Sequence, residues 1–198
     1  DGMALPGGSE NCVNLLYEDY ASAYQNINYE GISAILDAAA KENPDVTVAM
    51  LHWGSEYNDT ISPSQEKIVK YLQENGVDAI IGTHPHYVQK MVFDEENGTF
   101  VAYSLGDLIS DAERSGTQYS VLLDLEITKD NESGATKITN FSYTPIYTVH
   151  DEGEDLHILR IRDAMAAYEA KAVGRISDMA YAEMAYALQR IEARIQGK

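Results

Sequence analysis

The sequence predicts an α/β domain followed by a C-terminal helical segment. Two apolar runs, Val46–Leu51 and Ala79–Ile81, flank a stretch with helix start and stop signals. That strand–helix–strand order implies a parallel crossover. Beyond His86, four β-type stretches alternate with turn-rich loops, and from Leu156 the periodicity turns helical. With 198 residues, 44% of them apolar, the chain is long enough for one sizeable core and short for two.

Residues 1–29 read as loop, with a short strand over Asn11–Leu16. Gly31–Lys41 is a helix with Ile32, Ile35, Leu36 and Ala39 on one face, stopped by Asn43-Pro44. Val46–Leu51 is a nearly continuous apolar run, as in a strand buried on both faces. Ser62 is an N-cap and Pro63 a first-turn proline. The helix they open runs through Gln65–Glu74 to Asn75-Gly76. Ala79–Ile81 is the next buried strand. Val88–Phe93, Phe100–Ser104, Tyr119–Thr128 and Thr136–Thr148 follow as strands. Asp151–Asp155 is an acidic linker, which places a division at 150/151. Residues 156–195 then form two helices broken near Gly174. Their stripe of Met165, Tyr168, Met179, Met184 and Leu188 suits core or partner packing better than a cofactor.

The formal charge of −18 and pI near 4.4 exclude nucleic acid as a partner, because phosphate binding needs clustered Lys and Arg. They suit a solvated, secreted protein. The single cysteine, Cys12, has no partner for an internal disulfide and no activating motif. The chain shows no signal-peptide pattern and no apolar run of membrane-spanning length. It starts at Asp1, as a processed or excised chain would.

Chemistry concentrates in two histidine motifs that end apolar runs: Leu51-His52-Trp53-Gly54-Ser55-Glu56-Tyr57 and Gly82-Thr-His-Pro-His-Tyr-Val-Gln89. Pro85 disfavours helical geometry at His84, which predicts an extended segment with the His84 and His86 rings on one side. Ligands in open α/β sheets bind at the carboxyl ends of strands, so His52, His84 and His86 are expected to converge there. Neutral imidazole is a common metal ligand, and local hydrogen bonding of the same histidines is the ordinary alternative. Glu56 is a candidate general acid or an orienter of His52; hydrogen bonding to loop amides is its commoner use. Trp53 reads as packing under the loop, and Gln89, Asp107 and Asp111 as pocket-rim candidates. Gly106-Asp107 is either a turn or a contact to the site. His150 reads as structural. Asp155-Leu156-His157 spells Asp-x-His but reads as a solvated helix start, and Ser104 lacks the surroundings of a hydrolase nucleophile.

The succession His-Trp-Gly-x-Glu-Tyr, Gly-Val-Asp-Ala-Ile-Ile-Gly-Thr-His-Pro-His-Tyr-Val-Gln and Tyr-Ser-Leu-Gly-Asp-Leu-Ile-Ser-Asp, from Val46 to Asp111, resembles the CapA family of capsule and poly-γ-glutamate biosynthesis proteins. The resemblance implies part of a calcineurin-like α/β/β/α sandwich over residues 1–150, with residues 151–198 outside it. It implies one or two divalent ions (Mn, Zn or Fe) on His52, His84 and His86, and metal-dependent phosphoesterase-like chemistry in cell-surface polymer production. The alternative within the same family is a non-catalytic accessory module for a polymer synthase complex in the membrane. An extracytoplasmic or cell-surface location goes with either. The family's Asp-x-His and Gly-Asn-His/Glu motifs do not appear where expected. The chain is therefore expected to be the C-terminal portion of a domain whose N-terminal half is its partner, with self-association as a consequence of exposed apolar faces.

Overall fold

Strand β1 (Val48–His52) pairs in parallel with β2 (Ala79–Thr83), from Val48 opposite Ala79 to His52 opposite Thr83. In the computed structural model the described residues are 7–9, 12–18, 26–111, 114–149, 155–172 and 176–198. Helix α2 (Pro63–Glu74) makes the crossover between these two strands. It begins where the residue types dictate: the Ser62 side chain accepts from the Gln65 amide, and the Gln65 side chain accepts in return from the Ser62 amide. Ser62→Ala removes one partner of that reciprocal pair. It is expected to cost about 1 kcal/mol, seen as a small drop in the urea midpoint at unchanged slope.

The first sheet has four strands in the order β1-β2-β4-β3, with β3 (Met91–Asp94) antiparallel to β4 (Thr99–Ala102) and β4 parallel to β2. Its two faces separate by strand alternation. Ile80, Val101 and Tyr103 meet Ile32 of helix α1 (Tyr29–Lys41) and Ile68, Val69 and Leu72 of α2. Ala79, Phe100 and Ala102 face the second core. That core is completed by a second sheet, order β5-β6-β7, built from β5 (Tyr119–Lys129), β6 (Thr136–Val149) and β7 (His157–Arg160). Helices α3 (Ile161–Glu169) and α4 (Asp178–Ile195) enter the same core through Ile161, Ala164, Met184, Ala187 and Ile191. The architecture is two sheets flanked by helices, an α/β sandwich.

Several expectations need correction. β1 is not buried on both faces: it is an edge strand, and Val48 and Met50 are 44% and 77% exposed. No described part of 12–16 is a strand; Tyr17 instead bridges Ile27. Val88 makes only an isolated bridge to Leu105, and β3 starts at Met91. Residues 157–160 form a strand, not a helix start, because Val149–Ile146 offers them a free edge. His157 is exposed there, with its ring at 3.4 Å from the Asp155 carbonyl. Asn11, His150, the linker residues 151–154 and Gly174 lie outside the described residues. Among the described residues no helix is long and apolar enough to cross a membrane.

Candidate functional site

Both histidine motifs sit at the carboxyl end of the parallel pair, and their loops are laced together. The Trp53 amide donates to the Thr83 carbonyl (3.2 Å) and the Tyr57 amide to the Pro85 carbonyl (2.9 Å). Trp53 is 2% exposed, stacks on Tyr103 and donates its indole N–H to the Tyr103 carbonyl, so it packs beneath the loop as expected. Gly54, at φ +85°, lies against Gln65 and Pro85, which locks the loop onto the start of α2.

The His84-Pro85-His86 segment is not extended. His84 has φ +97° and His86 φ +61°. Proline disfavours the right-handed helical region for the preceding residue and ordinarily leaves it extended, so the positive φ at His84 departs from that preference. Strained conformations of this kind persist only where surrounding contacts hold them, and they cluster at functional sites. The bend brings His84 against His52, ring centroids 4.4 Å apart, while His84 and His86 are separated by 6.2 Å. The three rings thus occupy one end of the sheet. His84 is nearly buried, and burial first, then the neighbouring His52, holds its imidazole below the ordinary histidine pKa. His52 Nδ1 lies 3.4 Å from the Thr83 hydroxyl.

His86 is held differently. Its Nδ1 is 2.9 and 3.0 Å from the two Asp107 carboxylate oxygens, its Nε2 is 3.7 Å from Glu56, and Tyr57 stacks on its face at 4.9 Å. Arg114 lies over the other side of Tyr57, 4.2 Å from the ring centroid. Glu56 therefore approaches His86 rather than orienting His52. Asp107 contacts the site from a turn that begins at Gly106 (φ +79°). Ser104 is buried and accepts from the Gly106 amide in that turn. Gln89 is 1% exposed and donates to the Asn58 carbonyl, a tether beneath the surface rather than a rim group. Asp111 is exposed. Tyr57, Arg114 and Thr83 were not singled out from the sequence.

A divalent ion needs several convergent donors. His52 and His84 offer two adjacent imidazoles, but both nitrogens of His86 face carboxylates instead. Among the described residues no three His, Cys, Asp or Glu side chains form a group that could hold a metal ion.

A family model described as "Bacterial capsule synthesis protein PGA_cap" matches residues 9–112. That span holds both histidine motifs, Glu56, Asp107 and Asp111. The "PGA biosynthesis protein CapA" of Bacillus subtilis (strain 168) is 32% identical over 100 residues, covering 50% of this chain and 26% of that protein. The "Capsule biosynthesis protein CapA" of Bacillus anthracis is 37% identical over 91 residues, 46% of this chain and 21% of that protein. The matched stretch thus spans about a quarter or less of the curated relatives' own length.

Proposed function

Because the chain belongs to the bacterial capsule synthesis protein family PGA_cap, we propose that it serves cell-surface polymer biosynthesis as a non-catalytic accessory module of a polymer synthase complex. The observation that carries this reading is the engagement of His86 by Asp107 and Glu56, with no group of three candidate metal ligands among the described residues. Charge argues for a protein partner over the polymer itself. A chain of formal charge −18 repels a polyglutamate, whose repeating unit carries a carboxylate. An extracytoplasmic location suits a capsule-building role.

The hydrolase reading shares the same site and asks for more of it. It needs carboxylate ligands beyond the described residues, such as those of an N-terminal half of the domain, to complete a centre on His52, His84 and His86. The adjacency of His52 and His84 favours it. Two experiments separate the readings. Calorimetric titration of the chain with Mn²⁺ and Zn²⁺ is expected to show no tight binding of two ions, with phosphodiester turnover at background. In cells, the whole protein carrying His52→Gln and His84→Gln together is expected to support polymer output near the unmodified level. Two tightly held ions with turnover, or loss of polymer from a folded and normally abundant double variant, would sink the accessory reading.

A further inference from the structure

Helix α4 carries a second line of side chains outside the core. Its core face is Met184, Ala187 and Ile191. One residue back along the helix, a rotation of about 100°, Met179, Glu183 and Tyr186 form another line. Met179 and Tyr186 are 72% and 57% exposed. Opposite them stand Tyr119 and Tyr147, directly paired across β5 and β6, and together these side chains wall a cavity of about 510 Å³.

The charge of this cavity is one-sided. The Tyr147 hydroxyl donates to Glu183 Oε2 at 3.0 Å, which leaves Oε1 without a hydrogen bond among the described residues. Burial and this carboxylate push the Tyr147 hydroxyl above the ordinary tyrosine pKa, so it stays a donor. Gln118 spends its carbonyl on the Gly116 amide (2.9 Å), and the Ser115 carbonyl accepts from Tyr87 (3.0 Å). Glu183 is the only charged side chain among the lining residues. The walls thus offer π faces, a thioether, the Ser115 and Tyr119 hydroxyls, the Gln118 side-chain NH2 and an unshared carboxylate oxygen, with the charge all of one sign. A saccharide needs donors and acceptors converging on each hydroxyl, and an anion needs a cation. An ammonium group needs what is here: aromatic faces beside a carboxylate.

We propose that this open cavity is a binding site for an alkylammonium group, held by Glu183 and flanked by Tyr147, Tyr186 and Met179. It lies apart from the histidine loops and does not depend on the accessory reading. The overall negative charge raises the local concentration of such cations.

The test uses the full chain and ligand-observed NMR with three probes: tetramethylammonium, 1,5-diaminopentane, and Nα-acetyl-lysine methylamide. Methyl β-glucoside and glutarate are the neutral and anionic comparisons. The Met179 methyl resonance reports occupancy of this cavity. The expected result is binding of at least one ammonium probe with a Met179 shift. Glu183→Gln should weaken it by about tenfold or more, and Tyr186→Ala by several-fold. The diamine and lysine arms distinguish a free amine from a polypeptide side chain as the natural source. Tyr186 is largely exposed, so its variant keeps the test meaningful if Glu183→Gln disturbs the fold. Tighter binding of the glucoside or glutarate, no ammonium binding at millimolar concentration, or ammonium binding unchanged in both variants would overturn the proposal.

Discussion

Gly82→Ala is expected to lower the melting temperature by roughly 10 °C or to prevent folding, from a cost of about 3–5 kcal/mol. Gly82 lies in β2, between β1 and β4 in the parallel part of the first sheet. A Cβ built there would sit 2.0 Å from the Tyr103 carbonyl oxygen and 2.4 Å from the Trp53 indole nitrogen. Neither atom can yield cheaply. The Tyr103 carbonyl accepts the indole N–H at 2.9 Å, and the Leu105 amide donates to the Gly82 carbonyl at 3.2 Å. Moving them apart unseats Trp53, which is 2% exposed and supports the loop bearing Glu56 and Tyr57. Overpacking of a closed core commonly costs about 1–3 kcal/mol, and a buried indole N–H left unpaired adds to it. Gly134→Ala is the control. It has open space around it and φ +73°, so it pays only the cost of a left-handed backbone, about 1 kcal/mol. Thermal unfolding of both variants checks the comparison. A Gly82→Ala protein melting within 2 °C of the unmodified chain would show that the sheet has room the geometry denies.

The parts of this fold that were legible in the sequence are those set by local chemistry. Ser62 and Pro63 specify a helix start, and the structure has it, closed by a reciprocal cap with Gln65. The runs before His52 and His84 read as parallel strands, and they pair in that way. What was hidden depends on distant neighbours. The apolar content of Val48–His52 does not tell an edge strand from a central one, since that is decided by what else pairs with it. His157–Arg160 resembles a helix start in isolation and becomes a strand because β6 has an open edge. At the site, i and i+2 spacing predicted an extended pair of rings. The backbone reaches a neighbouring arrangement through positive φ at both histidines, and Asp107, twenty-one residues away, turns His86 aside.

Arg194→Ala is expected to cost about 2–4 kcal/mol and to loosen both histidine loops, although Arg194 lies in the last turn of α4, far along the chain from them. Its guanidinium lies over the rings of Tyr87 (4.6 Å) and Tyr119 (5.6 Å), and it is 8% exposed. It also meets Asp59 at 3.1 Å, where Arg190 arrives at 3.4 Å. Asp59 follows the loop of Glu56 and Tyr57, while Tyr87 adjoins His86. One side chain thus ties α4 to the loops after β1 and after β2. The ion pair is a minor part of the cost. Asp59 is 40% exposed, so solvent screens it, and Arg190 remains to meet it after Arg194 is gone. The larger part is the lost packing between two tyrosine rings. A double-mutant cycle with Asp59→Ala should therefore return a coupling of only about 0.5–1 kcal/mol, well below the single Arg194 effect. Arg194→Met, which keeps apolar bulk between the rings, should recover much of the loss. Hydrogen exchange adds the local readout: the amides of His84 and of residues 86–90 should exchange faster in Arg194→Ala under conditions where the β5–β6 ladder stays protected. If exchange rises equally everywhere, Arg194 stabilises the fold as a whole and does not act as the specific tie between the C-terminal helix and the histidine loops.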